Sequence, residues 1–161
     1  MFHVILHNPE IPPNTGNAIR LCANTGCRLH LVRPLGFSID DAQVRRAGLD
    51  YWPRVAPRVW PGWPTFEGAL PTLGEPFLFS SEADRPFWDV DFPDRVVLVF
   101  GRESVGLEPE IRAAHFDRLV RIPMADPELR SLNLSTTVAI ALYEVLRQRR
   151  RKRLEPLADR S

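Results

Sequence analysis

Between Phe2 and Val32 the chain places an apolar run, a polar turn, a helical segment and a second apolar run in immediate succession. Phe2 to Leu6 (FHVIL) has the unbroken hydrophobicity of a strand covered on both faces. Asn8-Pro9 ends it, and Pro12-Pro13-Asn14-Thr15-Gly16-Asn17 reads as a rigid turn. Ala18, Ile19, Leu21, Cys22 and Ala23 then make a helix that Gly26 closes in the left-handed conformation, and Leu29 to Val32 makes the second strand. Two strands joined through a helix are parallel, since an antiparallel pair needs only a tight turn. This one unit commits the fold to α/β with a mainly parallel sheet.

The pattern recurs downstream. Thr65 to Leu73 reads as a helix and Phe77 to Phe79 as a strand, with Ser80 and Ser81 at its end. Arg95 to Phe100 (RVVLVF) is the strongest core strand, and it runs directly into Gly101-Arg102-Glu103-Ser104-Val105-Gly106-Leu107. Pro109 to Phe116 follows as a helix with proline in its first turn. Leu119, Val120 and Ile122 read as a short strand closed by Pro123. Leu134, Val138, Ala141, Leu142 and Val145 then recur at helical spacing behind the cap candidates Ser131, Asn133 and Ser135. No glycine occurs from Ile122 to Leu146, which excludes a dinucleotide-binding GxGxxG turn and a P-loop there. A ligand of that loop is held by backbone groups and by Ser and Asn side chains.

Several side chains admit two readings. Arg20, beside the polar turn, is a solvated arginine on a helix face or a guanidinium aimed at a phosphate or developing oxyanion. Cys22, Cys27 and His30 have a metal-like spacing without the second half that structural zinc wants, so buried thiols are favoured over a metal. His3, His7 and His115 are isolated too, and the first two, at or just after a strand, read as packed, hydrogen-bonded imidazoles. Asp40 to Trp52 reads as a short helix or turn carrying Arg45-Arg46, either solvated or touching a nucleic-acid backbone. Trp52, Trp60 and Trp63 lie among Pro53, Pro57, Pro61 and Pro64, which favours loops pinned by buried rings over base-stacking platforms.

At 161 residues, with 44% hydrophobic and 25% charged, the chain reads as one domain, 1–161. Two cysteines give no disulfide framework, and no apolar run has the length of a membrane span or the layout of a signal peptide, so the cytoplasm is the default. Six of the 21 basic residues fall in 147–153, leaving 15 against 20 acidic residues elsewhere, a balance of −5. Positive potential is therefore concentrated at one end, on a basic helix extension or tail over 147–161 that suits an anionic partner.

Three polar loops thus carry the unusual chemistry, each directly after an apolar strand: PPNTGNAIR, GRESVGLEPE and RIPMADPELRSLNLS. Together they resemble the three motifs of the SPOUT RNA methyltransferases. PEIPPNTGNAIRLCANTGCRLHLV and RRAGLDYW resemble in particular the TrmL (YibK) branch, which methylates the ribose 2'-hydroxyl of the tRNA wobble nucleotide. The resemblance spans about residues 1 to 147 and implies an α/β/α fold with a C-terminal trefoil knot. It implies S-adenosylmethionine as cofactor, lined by Phe79, Ser80, Gly101, Arg102, Glu103, Ile122, Ser131, Leu132, Asn133 and Leu134. It also implies tRNA as substrate and a homodimer in which the knot-region helices pack together and substrate is reached across the interface. Arg102 stands where a proline is common in that branch, and the approach ADPELR to Ser131 is a residue longer than in some members.

The resemblance gives Arg20 the central catalytic role. An arginine is a poor proton acceptor at neutral pH. The expected role is to hold a substrate phosphate and stabilise the emerging alkoxide, with Asn14 orienting Arg20 or the ribose. No metal is required. Arg45, Arg46, Arg130, Arg149 and Arg150 are candidates for tRNA phosphate contacts. The competing readings are a different tRNA ribose or ribosomal RNA as acceptor, a non-catalytic RNA-binding knot protein, and a small-molecule methyltransferase.

Overall fold

In the computed structural model, which describes residues 2–39, 51–126 and 131–154, six strands form one sheet. They are β1 (Phe2–His7), β2 (Arg28–Val32), β3 (Arg58–Trp60), β4 (Glu75–Phe79), β5 (Val96–Phe100) and β6 (Leu119–Val120). Their order across the sheet is β3-β2-β1-β5-β4-β6, and every neighbouring pair is parallel. The central strands β1 and β5 are buried along their whole length, which is why both read as unbroken apolar runs.

The helices are α1 (Pro12–Thr25), α2 (Trp52–Val55), α3 (Trp63–Leu73), α4 (Pro109–Ala114) and α5 (Leu134–Leu154). Alternation along the strands sorts the core into two halves. Val4 and Leu6 of β1 pack with Ile19 and Cys22 of α1 and Val138, Leu142 and Val145 of α5. Ile5 packs on the other face with Phe66 and Leu70 of α3 and Ile111 of α4. The architecture is therefore three layers, helix on sheet on helix. Among the described residues no helix is long and apolar enough to cross a membrane.

Three local expectations are corrected. The Pro12 to Asn17 stretch is the start of α1 and no separate turn: proline is tolerated in the first turn of a helix, where the missing N–H would be orphaned anyway, and Gly26 closes the far end at φ 69°. Arg58 to Trp60, read as loop, is an edge strand whose three residues between Pro57 and Pro61 are too few to show a period. Trp60 is buried there, as expected of a pinning ring. The helix expected over Pro109 to Phe116 ends at Ala114 and passes into a 3-10 turn over Phe116–Arg118.

The strand order positions the site. The chain builds outward from β1 to β3, then starts again on the other side, so that β1 and β5 become neighbours. The helix that follows β1 covers one face and the helix that follows β5 covers the other. A crevice opens between such diverging connections at the carboxyl ends of the strands.

Candidate active site

The loops after β1 and β5 are locked together by two exchanged carboxylates. Glu103 accepts hydrogen bonds from the backbone N–H of Glu10 at 2.8 Å and of Ile11 at 3.2 Å, and from Asn14 Nδ2 at 3.1 Å. Glu10 in return accepts from the backbone N–H and the hydroxyl of Ser104, both at 2.9 Å. Pro12 and Pro13 leave α1 without its own side-chain cap, so a carboxylate from the next loop supplies negative charge at the helix start. Asn14 completes the lock: its Oδ1 accepts from Asn133 Nδ2 at 2.9 Å. Asn133 is the cap of α5, its Oδ1 accepting from Thr136 N at 3.3 Å and from Ser135 Oγ at 2.7 Å. Three loops far apart in sequence thus share one hydrogen-bonded chain.

The turn after β5 needs both its glycines. A Cβ on Gly101 would lie 2.2 Å from the carbonyl carbon of Gly106, and Gly106 itself has φ 73°. The turn is closed by Arg102 N to Gly106 O at 3.2 Å and Gly106 N to Arg102 O at 2.9 Å. Arg102 donates to Glu108 at 2.9 Å, and Glu108 accepts a 2.6 Å bond from His7 Nε2. Burial alone would push Glu108 up, but its backbone hydrogen bond, His7 and Arg102 outweigh burial and hold its carboxyl below the usual range. Burial pushes His7 down against the pull of Glu108, so the ring is neutral, with its proton on Nε2 and an unpartnered, buried Nδ1.

These loops enclose a cavity of about 630 Å3, within the range of small-molecule sites (roughly 300–1,000 Å3). Phe79 and Ser80 enter it from the end of β4, Gly101, Arg102 and Glu103 from the end of β5, and Ile122 from beyond β6. Ser131, Leu132, Asn133 and Leu134 close it at the start of α5. All ten residues implied for the cofactor therefore share one wall, and Asn14 lines it too. Ser81, noticed only as a strand end, joins it, as do Ile11, Glu82, Arg112, Met124 and Thr137. Of these, Thr137 was findable: it lies one helical turn after Asn133 and donates to its carbonyl at 3.0 Å. The Arg112–Glu82 ion pair joins segments thirty positions apart, and nothing local announces it.

The aromatic and aliphatic groups Phe79, Phe100, Leu107 and Leu134 beside the Ser, Asn and backbone groups fit a ligand with an apolar body and several hydroxyl and amino functions. S-adenosylmethionine has that composition.

Arg20 is placed elsewhere. It is exposed on α1, its guanidinium 5.5 Å from the Tyr51 ring centre, and it does not line the cavity. Of the two expectations for Asn14, orienting Arg20 or orienting the ribose, the first finds no contact within the chain. Six residues of helix put Arg20 about 9 Å further along and roughly two thirds of a turn round, and both polar atoms of Asn14 are bonded to Glu103 and Asn133. Among the tRNA candidates, Arg149 is turned inward. It donates to the Asp94 carbonyl, lies 4.2 Å over the Phe2 ring, and is lowered by burial, so it clamps α5 to the sheet. Arg150 is exposed, whereas Arg45, Arg46 and Arg130 lie outside the described residues.

The isolated histidines are bonded within the fold. Trp60 Nε1 donates to His30 Nδ1 at 2.9 Å, which leaves the His30 proton on Nε2, facing His3 Nδ1 at 2.9 Å. His115 pairs with Glu67 at 2.8 Å. Cys22 and Cys27 are buried free thiols; contact with Cys27 and burial push the Cys22 thiol up. Among the described residues no group of three or more His, Cys, Asp or Glu is placed to hold a metal ion.

Several known proteins share this sequence pattern and geometry. The model of the SpoU rRNA Methylase family matches residues 1–143. A tRNA (cytidine(34)-2'-O)-methyltransferase of Burkholderia pseudomallei is 51% identical over 151 residues, covering 92% of this chain and 96% of that protein. A solved structure described as giving insights into the 2-OH methylation of C/U34 on tRNA superposes with a TM-score of 0.88 at 42% identity, over 93% of this chain and 97% of that one. The SpoU methyltransferase AviRb of Streptomyces viridochromogenes in complex with AdoMet superposes at 0.79 with 25% identity, over 92% of this chain and 60% of that one. With half of its residues shared along nearly its whole length, and with the strand-end loops converging as described, the chain belongs to the SpoU rRNA Methylase family.

Proposed function

We propose that this protein is a cytoplasmic, homodimeric tRNA (cytidine/uridine-34) 2'-O-methyltransferase that uses S-adenosylmethionine and carries the trefoil knot of its class. The observation that carries the reading is the meeting of the three motif loops around one cavity through the Glu103–Asn14–Asn133 chain.

Phe79, Ser80, Gly101 to Glu103, Ile122 and Ser131 to Leu134 would hold the cofactor, largely by backbone groups. When bound, it supplies a methyl made electrophilic by its sulfonium. What remains for the protein is to align a ribose 2'-hydroxyl and to hold the charge that develops on it. Arg20 is the group for this charge. Its fixed positive fork holds a substrate phosphate and the emerging alkoxide, while a phosphate oxygen or water takes the proton.

A homodimer reconciles this role with the position of Arg20. Helix α1, on which Asn17 and Arg20 are exposed, packs beside α5, where Ile140 is 37% and Tyr143 56% exposed. Covering this exposed surface with a second copy buries these side chains and brings Arg20 of one protomer toward the cavity of its partner.

The test incubates the protein with methyl-labelled cofactor and bulk tRNA, followed by alkaline digestion. Methylation of the ribose removes the hydroxyl that attacks the neighbouring phosphate, so the label is expected in an alkali-resistant dinucleotide carrying the wobble position. Label released as single nucleotides, or label in ribosomal RNA alone, overturns the reading.

A further inference from the structure

The 3-10 turn Phe87–Asp89 presents two adjacent aromatic rings in opposite environments. Phe87 is buried, its ring 6.3 Å from Phe79, which lines the cavity. Trp88, with its ring 5.8 Å from Phe87, is 57% exposed. It borders a second concavity of about 410 Å3, shared with Asp89 and Asp91 of its own segment and with Arg147, Arg151 and Lys152 of α5.

The turn is firmly mounted. Gln148 donates to the Val90 carbonyl at 2.8 Å and accepts from Phe92 N at 2.9 Å. Lys152 donates to the Phe92 carbonyl at 2.9 Å and pairs with Asp91 at 2.6 Å. Two side chains one turn apart on α5 therefore make four contacts that fix the backbone beside the indole, and a fixed ring loses little freedom when something stacks on it.

We propose that Trp88 is a stacking platform for an unpaired nucleobase of the substrate RNA, with Arg147 and Arg151 meeting the phosphates beside that base. The proposal rests on the RNA-methyltransferase reading above. Every base has a π-face, and aromatic rings beside cations are the usual means of holding single-stranded nucleic acid. Arg147 is already spread by Glu144, with Nε and Nη2 each 2.8 Å from a carboxylate oxygen. The Glu144 side chain is only 13% exposed and the Arg147 side chain 59%, so the guanidinium stays on its carboxylate and turns its outer edge to a phosphate. Lys152, engaged by Asp91 and a carbonyl, is a strut. Asp89 and Asp91 repel a backbone laid across the turn itself, which confines phosphates to the α5 side and leaves the indole for the base. Phe87 touches both Phe79 and Trp88, so the platform stands two ring contacts from the methyl-transfer cavity and one RNA can reach both.

The experiment compares the wild-type protein with Trp88→Ala, Trp88→Phe and the pair Arg147→Gln/Arg151→Gln. Affinity for bulk tRNA is measured over a salt series, cofactor affinity by calorimetry and mass by sedimentation. Trp88→Ala is expected to weaken tRNA binding about tenfold and Trp88→Phe to restore most of it, with cofactor affinity and mass unchanged. The arginine pair is expected to lower the slope of log affinity against log salt by between about one and two. Parental tRNA affinity in Trp88→Ala overturns the platform, and so does a change of mass in that variant, which makes the ring a subunit contact. If the wild-type protein methylates tRNA while Trp88→Ala binds it normally, only the platform falls. If the wild-type protein neither binds nor methylates tRNA, the functional reading falls and takes the platform with it.

Discussion

The two ends of α1 differ in how complete they are. At its start, Asn14, Thr15 and Gly16 are buried, and the neighbouring loops meet there through Glu103, Glu10 and Asn133. Two turns later Arg20 faces outward, with a tyrosine ring beside it and no acidic partner among the described contacts. The cavity wall is finished within one chain, whereas the face that carries the proposed catalytic guanidinium is not. On the proposed function, holding a cofactor is a property of the protomer, and using it is a property of whatever covers that face.

The sharpest way to break this contrast is Arg20→Ala. It is expected to lower the rate of methyl transfer by about 10²- to 10³-fold, the loss typical of removing one group that stabilises a developing charge. Affinity for S-adenosylmethionine, measured by calorimetry, stays within about twofold. A parallel fall in cofactor affinity would place Arg20 on the cavity wall and erase the distinction.

Glu103→Ala attacks the other side. Three donors lose a charged acceptor, and a charge-assisted hydrogen bond contributes about 1.5–3 kcal/mol. With water reaching part of the site, a loss of about 2–4 kcal/mol in unfolding free energy is expected in urea titrations, together with loss of cofactor binding. Glu103→Gln should be intermediate, because one of its two head-group atoms becomes a donor facing donors. An Ala variant as stable as the wild type would mean that the lock is incidental.

A smaller effect is expected from the uncovered face. Ile140→Glu or Tyr143→Glu should convert the proposed dimer to monomer in sedimentation and lower methyl transfer about tenfold or more, while the monomer still binds S-adenosylmethionine. These side chains are half-exposed in the protomer, so stability within the chain should change by less than about 0.5 kcal/mol.

How far the sequence carried each side follows from the same contrast. The sheet was readable because β1 and β5 are buried on both faces and leave unbroken apolar runs. Edge strand β3 was not, since three residues between prolines show no alternation. The glycines at 101 and 106 announced a close backbone approach, and the structure leaves no room for a Cβ on Gly101 beside the Gly106 carbonyl. The partners of Glu103 were beyond reach: the residues it joins lie about ninety positions away, and sequence spacing carries no record of which carboxylate caps which helix. For the same reason the expectation for Asn14 named Arg20, its neighbour in the chain, or the ribose, and not Asn133, 119 positions on, to which it is bonded. Arg149 and Arg150 are indistinguishable as letters, and only the helix phase turns one inward over Phe2 and the other to water.

The smallest effect separates loss of fold from loss of chemistry on lowering the pH. His30 is 3% exposed, and burial with the neighbouring His3 and arginines lowers it from 6.5 to about 3. Above pH 6.5 neither the folded nor the unfolded chain protonates it, and its full contribution to stability is present. Below 6.5 the unfolded chain takes up a proton that the folded chain refuses, so stability falls with pH by up to about 1.4 kcal/mol per unit until roughly pH 3. His3, lowered to about 4, adds to the slope in the same direction. His30→Gln keeps an acceptor for Trp60 and removes the titration. It should therefore flatten the slope of unfolding free energy between pH 6.5 and 4.5 by about one proton's worth. Neither histidine lines the cavity, so the variant should leave the pH dependence of methyl transfer above 6.5 unchanged. If His30→Gln instead shifts the activity profile at neutral pH, the β3 edge is coupled to the cavity, and the separation between a finished wall and an open face needs a third participant.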